Sequence, residues 1–223
     1  MKRFGKWVGL CLLAGLLGAC NSFIPDQSIA NAYGLDGQEV TLTQSINSLT
    51  TQQFVSFYEG SFSASFTDFD ASDVPGFVNP NTLRELLGIE PSFSVSSTSA
   101  AGAFPAEVTV TASKLDLSLS DASGPIISKA FGSDDGLSIT FTKDACEAGV
   151  LMTCTYTTDL VSVVLLTLML GGQDLDDFYE RILTDGDSPN SVSGTFGLTL
   201  STGLPADSSI TVILATEEGT LTF

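Results

Sequence analysis

The chain has 223 residues, of which 43% are hydrophobic and 15% charged, and this composition favours a folded chain over a disordered one. Its 8 Lys and Arg residues against 26 Asp and Glu residues give a formal charge of −18, which argues against nucleic-acid binding because phosphate recognition needs clustered cations. It contains no histidine, and so lacks the commonest general base and the commonest zinc ligand.

The first residues predict an export signal. Lys2, Arg3 and Lys6 form a basic head, and an apolar stretch follows at residues 8–17. This stretch is too short to cross a bilayer, since spanning takes roughly 20 apolar residues. A basic head, a short apolar core and small residues before a cut site describe a secretory signal peptide, here residues 1–19.

The end of this segment, Leu17-Gly18-Ala19-Cys20, resembles the lipobox of bacterial lipoproteins. The resemblance implies cleavage before Cys20 and a covalent lipid on that residue, with no other cofactor. Two or three acyl chains anchor a protein stably to a membrane, and the protein itself does not cross it. Asn21 differs from the Asp that retains members of this family in the inner membrane. We therefore expect an exported protein, lipid-anchored in the cell envelope at the outer membrane.

Cleavage would also change the charge of the chain. The signal takes three of the eight basic residues, which leaves five against 26 acidic ones, a net charge of −21. Anionic headgroups repel such a surface, so we expect the domain to be presented outward from the membrane.

After Cys20, the remaining cysteines are Cys146 and Cys154. An even pair in an exported protein predicts a disulfide, here one that closes the tip of a hairpin. A two-thiolate metal site is the alternative, and the lack of histidine counts against it.

The body of the chain predicts strands in succession. Residues 20–38 are polar and are interpreted as a tether, with a β-rich domain over 39–223 that opens on a strand at 39–43. Residues 58–66 alternate apolar and polar side chains, as a half-buried strand does. Residues 107–119 alternate as well, but with a slip of one position. A β-bulge near Ser113 and Lys114, or a change of sheet, would correct the slip.

The second half of the chain continues this pattern. Further strands are predicted, in chain order, at residues 137–142, 195–200, 210–214 and 220–223. Turns are predicted at residues 134–136, 203–205 and 217–219. The apolar run at residues 161–170 predicts a strand buried on both faces, and a helix stays open because the run has no breaker.

Two short helices interrupt the strands. Residues 79–88 carry a cap, an early proline and a closing glycine, and residues 174–183 place Leu175 and Phe178 on one face. The fold class is therefore mainly β, an antiparallel β-sandwich or barrel-like domain with two short helices. A sub-boundary is possible near residues 94–104, which are rich in Ser, Ala and Gly.

Acidic clusters raise the question of calcium, which prefers six to eight oxygen ligands. The candidates in the second cluster are Asp185, Asp187 and Asn190, and a first cluster covers residues 68–73. Neither cluster fits the twelve-residue calcium loop, so both are interpreted as solvated turn acids, with calcium as the alternative.

The motifs of common enzymes are missing from the sequence. The serines have neither a histidine base nor a Gly-x-Ser-x-Gly elbow, and no glycine-rich loop with a lysine could hold phosphates. We therefore expect a protein without catalytic activity.

Phenylalanine is abundant and could serve a core or a ligand. The chain has 15 phenylalanines, many of them between residues 54 and 77. β proteins fill their cores with aromatic side chains, and this is the interpretation we favour. The alternative is a cavity for an acyl chain. Its candidate lining residues are Phe57, Phe62, Phe66, Val163 and Leu165.

Together these patterns predict a membrane-anchored envelope lipoprotein. It would act as a non-enzymatic structural or interaction subunit at the cell surface, with a protein partner of the envelope and no nucleic acid. The alternative is a carrier for a lipid or another apolar ligand.

Overall fold

The computed structural model describes residues 25–44, 56–66, 80–132, 137–183 and 190–223. Within these ranges the chain is mainly β, with twelve strands and one α-helix, α1 (Gln173–Phe178), which continues into a π-helical turn at Tyr179–Leu183. The strands are β1 (Gln27–Ile29), β2 (Glu39–Gln44), β3 (Ser56–Phe66), β4 (Thr82–Ile89), β5 (Ser92–Ser97), β6 (Glu107–Asp121), β7 (Gly124–Gly132), β8 (Ser138–Ala148), β9 (Met152–Thr157), β10 (Val163–Gly171), β11 (Asn190–Leu200) and β12 (Ser209–Thr222).

All strand pairs are antiparallel, and eight strands close on themselves. The order is β12, β2, β3, β11, β6, β8, β9 and β5, and β5 pairs again with β12 where Val95 lies opposite Ile210. We call these eight strands the ring. The predicted mainly β, antiparallel and barrel-like fold class is confirmed, with one α-helix where two were expected.

Four strands form a second sheet beside the ring. The second half of β12 pairs with β4 on one side and with β1 on the other, and β10 pairs with the far side of β4. We call β1, this half of β12, β4 and β10 the sheet extension. β12 is long enough to serve both parts, so the ring and the sheet extension share one continuous strand.

Buried side chains from all eight strands point into the ring. Large and small residues face each other across neighbouring strands: Phe196 lies opposite Gly60, and Phe62 lies opposite Gly194. At another place Phe93 stacks on Tyr156, with ring centroids 5.4 Å apart. A ring of eight strands is just wide enough for side chains to fill, and apolar side chains fill this one.

The phase slip in β6 is corrected by a bulge, as the sequence predicts. Along β11, Gly197 faces Lys114 and the next residue, Leu198, faces Ala112, so Ser113 is skipped in the pairing. Apolar residues before and after the skip are therefore all buried on the same face. The bulge restores the alternation that a one-residue slip would have inverted.

The helix predicted over residues 79–88 is wrong for the described part, because residues 82–89 form β4. Leu, Arg and Glu favour helices, but two neighbours, β10 and β12, supply backbone partners on both sides of this segment. Gly88 also permits a close approach that a helix would prevent. A Cβ atom on Gly88 would lie 1.5 Å from the carbonyl oxygen of Val163 in β10. Tertiary pairing thus overrides local propensity.

The second predicted helix is confirmed as α1 with its π-helical turn. Leu175 and Phe178 are buried as predicted. Arg181, in the π-helical turn, donates two hydrogen bonds to the Asp121 carboxylate, at 2.8 and 2.7 Å, and so ties the helix to the β6–β7 turn. The hydrogen bonds from Arg181, together with its charge, lower the pKa of Asp121.

Two expectations for the later strands are corrected. The apolar run forms the strand β10, but its burial is one-sided: Met169 is 51% exposed, and Val161, which precedes the strand, is 96% exposed. A turn was expected at residues 217–219, but β12 runs through them with an irregularity in its pairing with β4. The expected turn at 203–205 does separate β11 from β12, whereas the one at 134–136 lies outside the described residues.

The folded part begins earlier than the sequence predicts. Residues 20–38 were expected to be a tether, but β1 pairs with β12, and Ile29, Tyr33 and Leu35 are fully buried. Side chains of this segment enter the core, so the polar stretch before the domain is shorter. The possible boundary near residues 94–104 falls at the end of β5, and the strands on both sides of it contribute to the same hydrophobic cluster.

Candidate functional site

The predicted disulfide is present. Cys146 and Cys154 lie opposite each other in the β8–β9 hairpin and form a disulfide bond. Beyond it the hairpin tip exposes Val150 and Leu151 to solvent. Cys20 and the predicted signal peptide lie outside the described residues, so lipidation stays a prediction.

The calcium candidates are only partly described. Asn190 is buried at the start of β11, whereas Asp185, Asp187 and the cluster at residues 68–73 lie outside the described residues. Within the described ranges, no three Cys, Asp or Glu side chains converge as ligands would around a metal ion. The described residues therefore give the calcium alternative no site.

The structure does not bring the apolar-ligand candidates together. Phe62 points into the ring, but Phe57 lies on the outside, where an added Cβ on Gly197 would be 3.1 Å from its ring. Val163 and Leu165 belong to β10 in the sheet extension. The side chain of the fifth candidate, Phe66, is outside the described residues.

A groove lies on the outer face of the sheet extension, between β10, β4 and β12. It encloses about 240 Å³. Ala215 in β12 forms its floor, and its paired neighbour in β4, Gly88, also lines the groove, with its side-chain face covered by the backbone of Val163. Larger apolar residues stand around this floor, among them Leu86, Pro91, Val161 and Val164. We call this feature the sheet groove.

The sheet groove follows from the size of the residues in two adjacent rows of the sheet. In one row Val164, Gly88 and Ala215 lie side by side; the backbone of β10 covers Gly88, and the small side chain of Ala215 leaves a depression beside it. In the next row Leu86 lies beside Glu217 and rises above that depression. The β-bulge between Val164 and Leu166 brings the start of β10 over Gly88 and shapes the remaining wall.

One charged residue, Glu217, lines the sheet groove. Its carboxylate is exposed and accepts a hydrogen bond of 2.5 Å from the Ser162 hydroxyl on the opposite wall. Glu218 and Glu90, next to lining residues in sequence, are also exposed. The rim of the groove is therefore polar and acidic, while its floor is apolar.

An exposed apolar segment borders this groove. Leu160 is 48% exposed, and Val161 is a lining residue that is itself almost fully exposed. Apolar side chains at the edge of a concave, polar-rimmed site are typical of surfaces that bind a partner. Sequence reasoning assigned this run to the core, and its exposure became visible only once β10 was found to start at Val163.

On the inner face of the same sheet, Glu85 is a buried carboxyl group that sequence reasoning missed. It is 0% exposed, and its Oε1 accepts a hydrogen bond of 2.9 Å from the backbone N–H of Ala32. Burial raises the pKa of Glu85 to about 7, and the negative charge of Asp36 acts in the same direction. The alternation of Leu83, Glu85 and Leu87 could have placed it inward had the segment been predicted as a strand.

The surroundings of Glu85 connect the first folded residues to the sheet extension. Tyr33, in the turn after β1, is fully buried, and burial together with the charge of Glu85 raises the pKa of its hydroxyl. Asp36 accepts a hydrogen bond from the backbone N–H of Thr216 in β12. Together with the bond from Ala32, these contacts hold residues 31–36 against β4 and β12. These contacts attach the first folded residues to the sheet extension, with Glu85 and Tyr33 buried and Asp36 at the surface.

No helix in the described part of the chain has the length and apolar character needed to cross a membrane. No protein-family model matches the chain, and no curated protein is similar to it.

Proposed function

We propose that this protein is a membrane-anchored envelope lipoprotein that acts as a non-enzymatic structural or interaction subunit at the cell surface. The observation that carries the proposal is the contrast between the ring and the sheet groove. Apolar side chains fill the ring, whereas the concave, apolar and polar-rimmed surface faces outward. Such a surface suits contact with another protein.

The N-terminal sequence supports the membrane anchor. Residues 17–20 match the lipobox pattern, and the Cys146–Cys154 disulfide suits an oxidising compartment outside the cytoplasm. Six residues lie between Cys20 and the start of β1 at Gln27, and the seven steps from one residue to the other span at most about 25 Å in an extended chain. A lipid on Cys20 would hold the folded domain close to the membrane.

The charge of the domain supports outward presentation. Lys114 lies 2.9 Å from Glu59, Lys129 lies 3.8 Å from Asp174, and Arg181 pairs with an acid as described above. These cations are therefore already engaged with acids of the same surface. What the domain offers to the outside is an excess of negative charge, which repels anionic headgroups.

The alternative, a carrier for a lipid or another apolar ligand, has less support. Ligand pockets of about 300–1,000 Å³ bury most of their ligand, and the sheet groove is smaller, at about 240 Å³. The candidate residues Phe57 and Phe62 lie on opposite faces of β3, so they do not line one cavity.

Metabolic labelling tests the anchor. Cells grown with labelled palmitate should incorporate label into the wild-type protein and not into a Cys20→Ala variant. A Cys146→Ser variant is the matched control, because it also removes a cysteine and should keep the label. Label that persists in the Cys20→Ala protein would refute lipidation at this residue.

Extraction in mild detergent tests the role. The full chain should co-purify with an envelope protein in a fixed ratio, as mass spectrometry of the native complex would show. A stoichiometric lipid with no protein partner would instead establish the carrier and refute the interaction role.

A further inference from the structure

Residues 27–36, which we call the strap, join the N-terminal end of the chain to the sheet extension. The backbone pairing of the strap is short, because β1 has three residues and pairs with the last part of β12. Turns follow, in which Asn31, Gly34 and Gly37 have φ angles of 50°, 70° and 75°. Segments held by few ladder hydrogen bonds open locally at a lower free energy than long central strands do. We therefore expect the strap to open more easily than the rest of the sheet extension.

The strap supplies much of the polar surroundings of Glu85. The backbone N–H groups of Ala32 and Tyr33 both face its carboxyl group, and the hydrogen bond from Ala32 is 2.9 Å long. Two titratable side chains of the strap also act on Glu85, those of the exposed Asp36 and the buried Tyr33. When the strap is in place, it therefore separates Glu85 from water and leaves it near one negative charge.

The other elements packed around Glu85 bring no positive charge to it. β12 contributes the neutral hydroxyl of Thr216, and β10 places the apolar Leu168 opposite Glu85. Among the described residues no Lys or Arg pairs with Glu85, and its Oε2 atom has no hydrogen-bond partner. An ionised carboxylate is costly in such surroundings, whereas a neutral carboxyl group fits them better. For this reason burial raises the pKa of Glu85 to about 7.

Opening of the strap removes this cost. Water then reaches Glu85 and its pKa returns to the ordinary 4.5, so the open state binds the proton more weakly than the closed state. Below pH 4.5 Glu85 is protonated in both states, and opening does not depend on pH. Above it the open state is favoured by ionisation, and the equilibrium constant for opening rises about 70-fold between pH 5 and pH 8. The fully buried Ile29, Tyr33 and Leu35 keep the closed state the major one.

We propose that the strap is a releasable part of the membrane tether, which opens more often when Glu85 is ionised. With the strap closed, seven steps of chain lead from Cys20 to Gln27 and span at most about 25 Å. With the strap open, the first remaining contact is that of Gly37 with Leu214, and the seventeen steps from Cys20 to Gly37 span at most about 60 Å. A rise in pH thus lets the domain move further from the membrane more often. This role in tethering rests on the proposed lipid anchor at Cys20.

Hydrogen exchange of the full chain in mild detergent tests the opening of the strap. Mass spectrometry gives a protection factor, corrected for the intrinsic exchange rate at each pH, for a peptide of residues 27–36 and for a reference peptide from β6. The strap should be less protected than β6, and its protection factor should fall about 70-fold from pH 5 to pH 8. Equal protection of the two peptides at every pH would overturn the proposal, because the strap would then open only when the whole domain unfolds.

Two variants connect this fall in protection to Glu85. Glu85→Gln keeps an acceptor for the N–H of Ala32 but does not titrate, so the protection factor of the strap should change less than threefold between pH 5 and pH 8. Glu90→Gln removes an exposed acid next to β4, leaves Glu85 in place and should keep the wild-type fall. If Glu85→Gln fails to fold, Glu85→Met fills the same space without a titrating group and takes its place, with the same expectation. A fall that persists without the Glu85 carboxyl group would overturn the proposal.

The exchange experiment needs no lipid, so it separates the strap from the anchor, which palmitate labelling tests. Exchange as expected together with label on the wild-type protein supports the releasable tether. Label without the expected exchange overturns the strap, while the lipid anchor stands. Exchange as expected without label refutes the anchor and with it the tethering role of the strap, although the strap itself still opens with the ionisation of Glu85.

Discussion

The buried carboxyl of Glu85 should make the stability of this protein depend on pH in an unusual direction. In most proteins, acid protonates carboxylates that were stabilised in the native state, and stability falls. Burial instead raises the pKa of Glu85 from 4.5 to about 7 in the folded protein. The native state therefore binds a proton here that the unfolded chain has already released.

The size and sign of the effect follow from this shift. Below pH 4.5 Glu85 is protonated in both states and contributes no pH dependence. Between pH 4.5 and 7 only the native state holds the proton, so the free energy of unfolding falls as the pH rises. The full shift corresponds to about 3 kcal/mol, which is lost by the time the pH passes 7.

A Glu85→Gln variant isolates this contribution. The amide can still accept the hydrogen bond from the N–H of Ala32, but it does not titrate. Urea unfolding of both proteins at a series of pH values gives the stability of the wild type relative to the variant. We expect this difference to fall by about 3 kcal/mol between pH 4.5 and 7.5. Any effect of the amide on the free energy of unfolding that does not depend on pH is the same at every pH, so it does not alter this change.

The same change at Glu90, the exposed residue that follows β4, controls for the loss of one negative charge. Both variants are compared with the wild type in the same urea series. A difference between wild type and Glu85→Gln that stays constant to within about 0.5 kcal/mol across this pH range would refute the reasoning, because a shift of one pKa unit is already worth more than that.

Three further predictions concern packing and the disulfide. Gly88→Ala should lower the free energy of unfolding by about 2 kcal/mol or more, because β10 passes too close for a Cβ atom, whereas Gly102→Ala, with open space around it, should have little effect in urea unfolding. Replacing Cys146 and Cys154 with serine should lower the free energy of unfolding by about 2.5 kcal/mol, because the loop between them is no longer closed in the unfolded chain. A urea midpoint of the wild-type protein that is the same with and without reductant would contradict this. Phe196→Ala should lower the free energy of unfolding by about 3–5 kcal/mol, because the phenyl group of Phe196 is fully buried. A change below about 1 kcal/mol in calorimetry would contradict this and show that the interior of the eight-stranded ring can collapse around the missing side chain.

Much of the fold could be predicted from local patterns. Alternation along β3, β8 and β11 identified strands, and the slip at Ser113 identified a bulge, because the period of side chains in a strand is fixed by backbone geometry. The spacing and number of cysteines identified the disulfide between Cys146 and Cys154. Each of these features depends on residues that lie close together in sequence.

The prediction at residues 79–88 failed for a different reason. Leu83, Leu86 and Leu87 fit one face of a helix, while Leu83, Glu85 and Leu87 fit one face of a strand, which places a charged residue on the inner face. The backbone N–H of Ala32, 53 residues earlier, donates a hydrogen bond to Glu85 and so stabilises its buried position. A pattern within eight residues cannot contain that partner.

In the candidate site, too, some features depend on the local sequence and others on partners that are distant in the chain. The sequence by itself determined a large negative charge, a disulfide and strands with one apolar face, and it predicts an export signal with a lipobox. Only the tertiary structure decided where these strands meet. The sheet groove exists because Gly88 and Ala215, 127 positions apart, became neighbours and Val161 was left outside the core. Side-chain period is a local property of the backbone, whereas register between distant strands is chosen by the packing of the whole chain.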